Sequence, residues 1–331
     1  MIQIVKVENI MTKKIKLISS LILSSMFVLS ACGTSAKGND NAETKANETA
    51  VESAEITIEH ELGTVILEKN PKKVLVFDYG LLDLMENLGV EVTGLPKASI
   101  PTFLEKYKDE KYVDIGTLKE PDFEKVFELE PDVIFISSRT SAAYEELNKI
   151  APTIYLPVDN ADYMASVEHN ADIIGKLFDK SEEASKILAT LKDRVAAIKT
   201  KVEAKGENAL VVLANDGTLS AYGAVSRFGI LHNALGFKQS DENIEVSTHG
   251  QTITYEYILE KNPDNLFVID RNQVVGGETN AVSTLENDIV KETNAYKNGK
   301  IVYLNPEVWY ITSGGFTGTS MMLDEVEASL K

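Results

Sequence analysis

Ser181–Lys205 reads SEEASKILATLKDRVAAIKTKVEAK, and its periodicity decides how the chain is organised. Ala184, Ile187, Leu188, Leu191, Val195, Ile198 and Val202 recur at steps of three and four, which lines them along one stripe of a helix. Ser181 is the expected N-cap, and Glu182 and Glu183 lie where the helix dipole favours negative charge. Lys199, Lys201 and Lys205 gather towards the other end, and Gly206 follows as a stop. At about 1.5 Å per residue the rod is roughly 37 Å long, enough to span a domain.

The same pattern is written on both sides of this rod. Asp122–Arg139 reads DFEKVFELEPDVIFISSR, and Thr254–Arg271 reads TYEYILEKNPDNLFVIDR. Aligned without gaps they share Glu124/Glu256, Glu128/Glu260, Pro131/Pro263, Asp132/Asp264, Phe135/Phe267 and Arg139/Arg271. Each reads as a short amphipathic helix, a Pro-Asp turn, a buried strand and an arginine at the strand's carboxyl end. The expected fold is therefore α/β, with two Rossmann-like lobes joined by a single long backbone helix.

Strands expected at 72–78 and 153–155, with helices at 81–88, 102–107 and 161–178, fill out the first half. Strands at 209–214, 218–222 and 301–304 and a helix at 320–330 fill out the second, and the alternation predicts mostly parallel sheets. The lobes are expected at 55–160 and 206–331, with a helical segment, 161–205, between them.

The N-terminus carries an address. Lys13, Lys14 and Lys16 precede an apolar run, Leu17–Leu29, that ends in Leu29-Ser30-Ala31-Cys32. A basic region, a short apolar region and small residues before a cleavage point make a secretory signal over residues 1–31, too short for an ordinary membrane span. Met11 is a second candidate start, since residues 1–10 add nothing a signal requires. Residues 32–54 are polar and small, with almost nothing to bury, and read as a disordered tether. With 33 basic and 51 acidic residues the formal charge is −18, which argues against nucleic acid and against direct binding to anionic lipid. The single cysteine excludes an intrachain disulfide and a cysteine metal cluster.

Arginine usage is the sharpest signal. Only Arg139, Arg194, Arg227 and Arg271 occur among the 33 basic residues. Arg194 falls on the polar face of the rod, where a solvated ion pair is expected. The other three each follow an expected strand, at the edge where ligands bind in open α/β sheets. Two readings fit them: salt bridges to the abundant carboxylates, or a planar, permanently charged set facing a polyanion of charge about −3 between the lobes. Of the four histidines, His60, His169 and His232 read as structural or solvated. His249 sits in a Thr-His-Gly loop on the cleft side, and Tyr310 adjoins the only tryptophan, Trp309. Neither is distinctive by itself. The glycines at 314, 315 and 318 could present amides to an anion at a helix start, though a glycine-rich turn explains them equally.

The Leu-Ser-Ala-Cys ending, the Asp122–Ile136 segment, Tyr222-Gly223-x-x-Ser226-Arg227-Phe228-Gly229, Thr248-His249-Gly250 and Trp309-Tyr310 together resemble the iron–siderophore-binding lipoproteins of bacterial ABC importers. The resemblance is to the group that takes catecholate siderophores, petrobactin among them, and covers essentially the whole mature chain. It implies the class III periplasmic-binding-protein fold and diacylation of Cys32, which would hold a monomer at the extracytoplasmic face of the cell membrane. It implies no catalysis and no cofactor: the ligand is a ferric siderophore, delivered to an ABC permease dimer. Arg139, Arg227 and Arg271 match the family's cleft arginines, and Lys97 lies in a loop that could also reach the ligand. His249 and Tyr310 match the residues that can enter the iron's coordination sphere. Glu124 and Glu256 match the glutamates that dock the lobes on the transporter. Capture of haem, a cobalamin or another metal chelate is the alternative within the binding class. A surface-anchored hydrolase is a third reading, without a G-x-S-x-G elbow or an H-E-x-x-H to support it.

Overall fold

The structure, a computed structural model, describes residues 54–331. The expected signal, the tether up to residue 53 and Cys32 lie outside the described residues. A hairpin of β1 (Glu55–His60) and β2 (Gly63–Glu68) leads into the first lobe. There β3 (Val74–Val76), β4 (Gly94–Leu95), β5 (Val113–Asp114), β6 (Val133–Ile136) and β7 (Thr153–Tyr155) form one sheet in the order β5-β4-β3-β6-β7. Every pairing in it is parallel. The helices that position the site are α1 (Tyr79–Asn87) and α2 (Phe123–Glu128) in this lobe, then α3 (Tyr163–Leu177) and the long α4 (Ser181–Lys205).

The second lobe holds β8 (Asn208–Asn215), β9 (Thr218–Tyr222), β10 (Lys238–Gln239), β11 (Gln251–Ile253), β12 (Asn265–Asp270) and β13 (Ile301–Leu304). Their order is β11-β9-β8-β12-β13, with β10 also on β8. Here the expected parallel sheet is modified, because β9 runs antiparallel to β8 and β11 antiparallel to β9. The cause is Asp216-Gly217, whose positive φ angles of 46° and 77° turn β8 directly into β9 as a hairpin. Besides several short helices, the lobe contains α5 (Tyr255–Lys261) and α6 (Phe316–Ser329).

The repeat seen in the sequence holds at the level of single atoms. Asp122 caps α2 by accepting from the amide of Lys125, and its counterpart Thr254 caps α5 by accepting from the amide of Tyr257. Val126 and Ile258, again equivalent, are the one fully buried residue on each helix. The helices unwind through Glu130 and Asn262, both left-handed at φ 47° and 40°. Asp132 then accepts from the amides of Lys72 and Lys73 at 2.7 and 2.8 Å, and Asp264 from that of Asn208 at 3.0 Å. In each lobe the aspartate of the Pro-Asp turn thus pins the start of the neighbouring strand.

The stripe on α4 is buried at Ala184, Leu188, Leu191, Ile198 and Val202. It joins α1, α3, α6 and one face of both sheets in a continuous core, while the outer face of each sheet has a smaller core of its own. One expectation about α4 is corrected. Its N-cap is Lys180, with Ser181 already helical, because left-handed Asp179 and the bond from the Lys180 amide to the Gly175 carbonyl close the turn from α3 first. Arg194 makes the expected ion pair, and more than one: it donates to Asp324 at 2.6 Å, Glu327 at 3.0 Å and the Ser320 hydroxyl at 2.7 Å, and so clamps α6 to α4. None of the described helices is long and apolar enough to cross a membrane.

Candidate functional site

Beyond β13, Pro306 leads into a π-helical turn, Glu307–Ile311, closed by the Thr312 amide on the Glu307 carbonyl at 3.0 Å. Such turns are rare and are frequently found at functional sites. This one buries Trp309, whose indole donates to Glu325 at 2.7 Å, and leaves Tyr310 half-buried.

The three arginines converge on Tyr310. Arg139, just past β6, donates to the carbonyls of Tyr310 and Ile311 at 2.6 and 3.1 Å, reaching from the first lobe to the loop that follows the second sheet. Arg227 donates to the Tyr310 carbonyl at 3.0 Å, and its guanidinium carbon lies 4.2 Å from the ring centroid. Arg271, immediately after β12, donates to the Tyr310 hydroxyl at 2.9 Å and to Asn215 Oδ1 at 2.7 Å. Arg227 arrives by a route the sequence did not suggest. Because β9 is antiparallel, its carboxyl end is not at the sheet's carboxyl edge, and the turn through Gly223–Gly229 carries Arg227 to the site.

Every one of these contacts is to a neutral oxygen or to a ring. Among the described residues no carboxylate pairs with Arg139, Arg227 or Arg271, whereas Arg194 takes two. The salt-bridge reading of the triad therefore fails. Each guanidinium carries five donors in a fixed plane, and the bonds given above engage at most two of them. The result is concentrated positive charge, with no carboxylate in contact with it among the described residues, in half-buried surroundings, where an anion with several oxygens is held more strongly than in water.

The ionisation of the cluster follows. Burial by itself would raise the Tyr310 pKa, but the Arg271 hydrogen bond and the charges of Arg227, Arg271 and Arg139 bring it below the ordinary phenol value. Burial, with Arg139 beside it, lowers that of Arg227. Burial raises the Tyr222 pKa against the pull of Arg227. Asp78, the cap of α1, is buried near Arg139 and Arg227; burial raises its pKa and the arginines oppose the shift.

The other expected site residues are placed differently. His249 is exposed, with no side-chain hydrogen bond to the cluster; its loop rests on the site through Gly250, where a Cβ would stand 2.7 Å from the Tyr222 ring. Lys97 makes no hydrogen bond to the Tyr310 cluster and donates instead to the carbonyls of Asp109 and Lys108 at 2.7 and 3.4 Å. The glycine amides at 314 and 318 are already engaged, by the Tyr163 hydroxyl at 3.0 Å and Asp83 Oδ2 at 2.8 Å. No group of three or more His, Cys, Asp or Glu converges as a metal site among the described residues. Glu124 and Glu256 lie exposed in the first turns of α2 and α5. Asn215 and Asp78 were missed by sequence reasoning, since a strand-end amide and a helix cap carry no signal of their own.

Residues 74–308 match the model of the periplasmic binding protein family. The chain belongs to that family. Within it, the petrobactin-binding protein YclQ of Bacillus subtilis is 46% identical over 93% of this chain and 96% of its own length. The ferric-anguibactin-binding protein FatB of Vibrio anguillarum is 35% identical over 82% of this chain and 86% of its own. The crystal structure of the periplasmic catecholate-siderophore binding protein VctP from Vibrio cholerae superposes with a TM-score of 0.80, at 37% identity, covering 83% of this chain and all of that one. The fold is that of the class III periplasmic binding proteins, and proteins of the family bind solutes.

Proposed function

We propose that this chain captures a ferric catecholate siderophore at the Arg139–Arg227–Arg271–Tyr310 cluster and delivers it to an ABC importer. The observation that carries the reading is the triad itself: three guanidiniums around one phenol with no carboxylate among their partners. Three catecholates give Fe(III) six hard oxygen donors at a net charge of about −3, which three arginines balance. The names of the related proteins just described support the same class of ligand.

A bis-catecholate would leave two iron positions open, to be filled by the His249 imidazole and the Tyr310 phenolate. Tyr310 stands in the cluster with its proton loosened by the arginines, whereas His249 would need its loop to swing in. Lys97 would have to release two carbonyls to contribute. Capture takes place outside the cell membrane, with a lipid on Cys32 tethering a monomer there. Glu124 and Glu256 dock the two lobes on the permease dimer.

The test is Trp309 fluorescence against a ferric catecholate. Arg227→Ala and Arg271→Ala should each weaken binding by about 2–5 kcal/mol, which is roughly 30-fold or more in Kd, with the fold intact. Unchanged affinity in both variants would refute the assignment.

A further inference from the structure

The turn that carries Tyr310 belongs by sequence to the second lobe, yet its first residue is held by the first. Glu307 opens the π-helical turn, and its carbonyl accepts the closing bond from the Thr312 amide, five residues on. Its carboxylate leaves the turn and clasps a single residue, taking the Thr102 amide on Oε2 at 3.0 Å and the Thr102 hydroxyl on Oε1 at 2.7 Å. Thr102 is the first residue of a 3₁₀ segment, Thr102–Lys108, whose cap position is Pro101, with no side-chain bond to offer. The first amides of a helix have no partner within it. Here the acceptor comes from the other lobe, 205 residues away in sequence.

The clasp is mounted on a rigid base. Leu104 and Tyr107 of the same segment are buried, and Tyr107 donates to Glu86 on α1 at 2.6 Å. Within the turn Val308 and Ile311 are buried, and Trp309 is tied to Glu325 of α6. With Glu307 bonded outward, Tyr310 is the one side chain of the five left to face Arg227 and Arg271. Its aim depends on the register of the turn. Pairing the Glu307 carbonyl with the Ile311 amide instead would make an ordinary α turn with one residue fewer, and each residue of helical register is a rotation of roughly 100°. A phenol 2.9 Å from Arg271 Nε, with its ring 4.2 Å from the Arg227 guanidinium carbon, could not keep both contacts through such a rotation.

We infer that Glu307, clasped by Thr102, is the positioning residue for Tyr310 and holds the turn in the register that sets the phenol between Arg227 and Arg271. The first lobe thus governs the aim of a second-lobe side chain, and a change at Thr102 alters the site from outside it. The positioning is a property of the ligand-free chain; only its consequence for capture rests on the function proposed above.

The ionisation of Tyr310 in the ligand-free protein, followed by ultraviolet absorbance, tests the inference, and its sign separates position from charge. Deleting a carboxylate would by charge alone favour phenolate and lower the step, whereas a phenol released from the arginines ionises at higher pH. Glu307→Ala should therefore raise the step. Thr102→Val, which loses the hydroxyl and keeps the amide, should raise it less. Glu307→Gln can still accept from the Thr102 amide and donate to the hydroxyl, and should stay close to the wild type. With a ferric bis-catecholate, Glu307→Ala should bind about tenfold more weakly, as expected for losing a hydrogen bond to a charged group, and a ferric tris-catecholate should lose less. A step that stays in place or falls in Glu307→Ala would overturn the positioning role, and a loss of Tm without that rise would reduce the clasp to a fastening between lobes. Should Glu307→Ala not fold, an unmoved step in Thr102→Val would overturn it equally. A raised step with unchanged affinity for both ligands would uphold the positioning and count against Tyr310 as a ligand of the iron.

Discussion

Tyr310 gathers the site because it offers three different surfaces to three arginines. Its carbonyl takes Arg139 and Arg227, its ring lies under Arg227, and its hydroxyl takes Arg271. Removing the ring and removing the hydroxyl therefore have different consequences. Tyr310→Phe keeps the carbonyl contacts and the cation–π face but abolishes the phenolate. In an ultraviolet absorbance titration, the ligand-free protein should show one tyrosine ionising below the others, which disappears in Tyr310→Phe. Arg271→Ala should move that step to higher pH, since it deletes both the hydrogen bond and one of the charges that favour phenolate. A tyrosinate–iron charge-transfer band with a bis-catecholate, absent in Tyr310→Phe, would extend the argument to the metal. Composition made the three arginines conspicuous, because a chain that otherwise uses lysine spends them sparingly. It could not show that all three meet on one backbone turn, because that convergence depends on the π-helical geometry of Glu307–Ile311 and on the hairpin that redirects Arg227.

At the scale of elements, α1 and α6 are joined by a buried carboxylate. Asp83 on α1 accepts from the Gly318 amide in the first turn of α6, and Asn87 donates to its other oxygen at 2.8 Å. Gly315 leaves room for it: a Cβ there would stand 2.1 Å from Asp83 Oδ2. The glycine run at the start of α6 thus serves an internal anion. Burial drives the Asp83 pKa up to about 6, with Glu86 adding to the shift and the bonds from Gly318 and Thr317 opposing it. An unfolded aspartate titrates near 3.9, so between about pH 4 and 6 the folded chain binds the extra proton and stability falls as pH rises. The penalty is absent below that window and complete above it, at about 3 kcal/mol. Asp83→Asn removes the titration, so the Tm of the wild type relative to this variant should fall between pH 4 and 6 and then level off, as followed by scanning fluorimetry. A constant difference would show that Asp83 does not titrate in this window. The repeat and the strut were legible in the sequence because each has a strict signal: matched Pro-Asp turns, and apolar residues at steps of three and four. The antiparallel β9 and β11 were less so, although Asp216-Gly217 is a strong hairpin dipeptide, because the run of apolar residues in β8 reads equally as a parallel strand.

For the whole molecule, the question is whether two lobes behave as two folding units. Each sheet has an outer core under its own short helices, α2 in one lobe and α5 in the other. The inner faces of both sheets share a third core with α1, α3, α4 and α6, in which Val76 of the first sheet and Phe267 of the second belong to one cluster. Arg194 ties α6 to the strut, and the Thr102 amide and hydroxyl reach Glu307 at 3.0 and 2.7 Å, so the first lobe also grips the turn that carries Tyr310. Such sharing should make unfolding cooperative across the chain, with neither lobe surviving the other. Ile198, fully buried in the C-terminal half of the strut, tests this directly. Truncating it to Ala should cost about 2–5 kcal/mol through lost burial and the cavity left behind. In calorimetry the wild type should unfold in one transition, with calorimetric and van't Hoff enthalpies equal, and the variant should shift that transition as a whole. If the lobes were independent about a passive rod, two transitions would appear, and Ile198→Ala would move the one and leave the other in place.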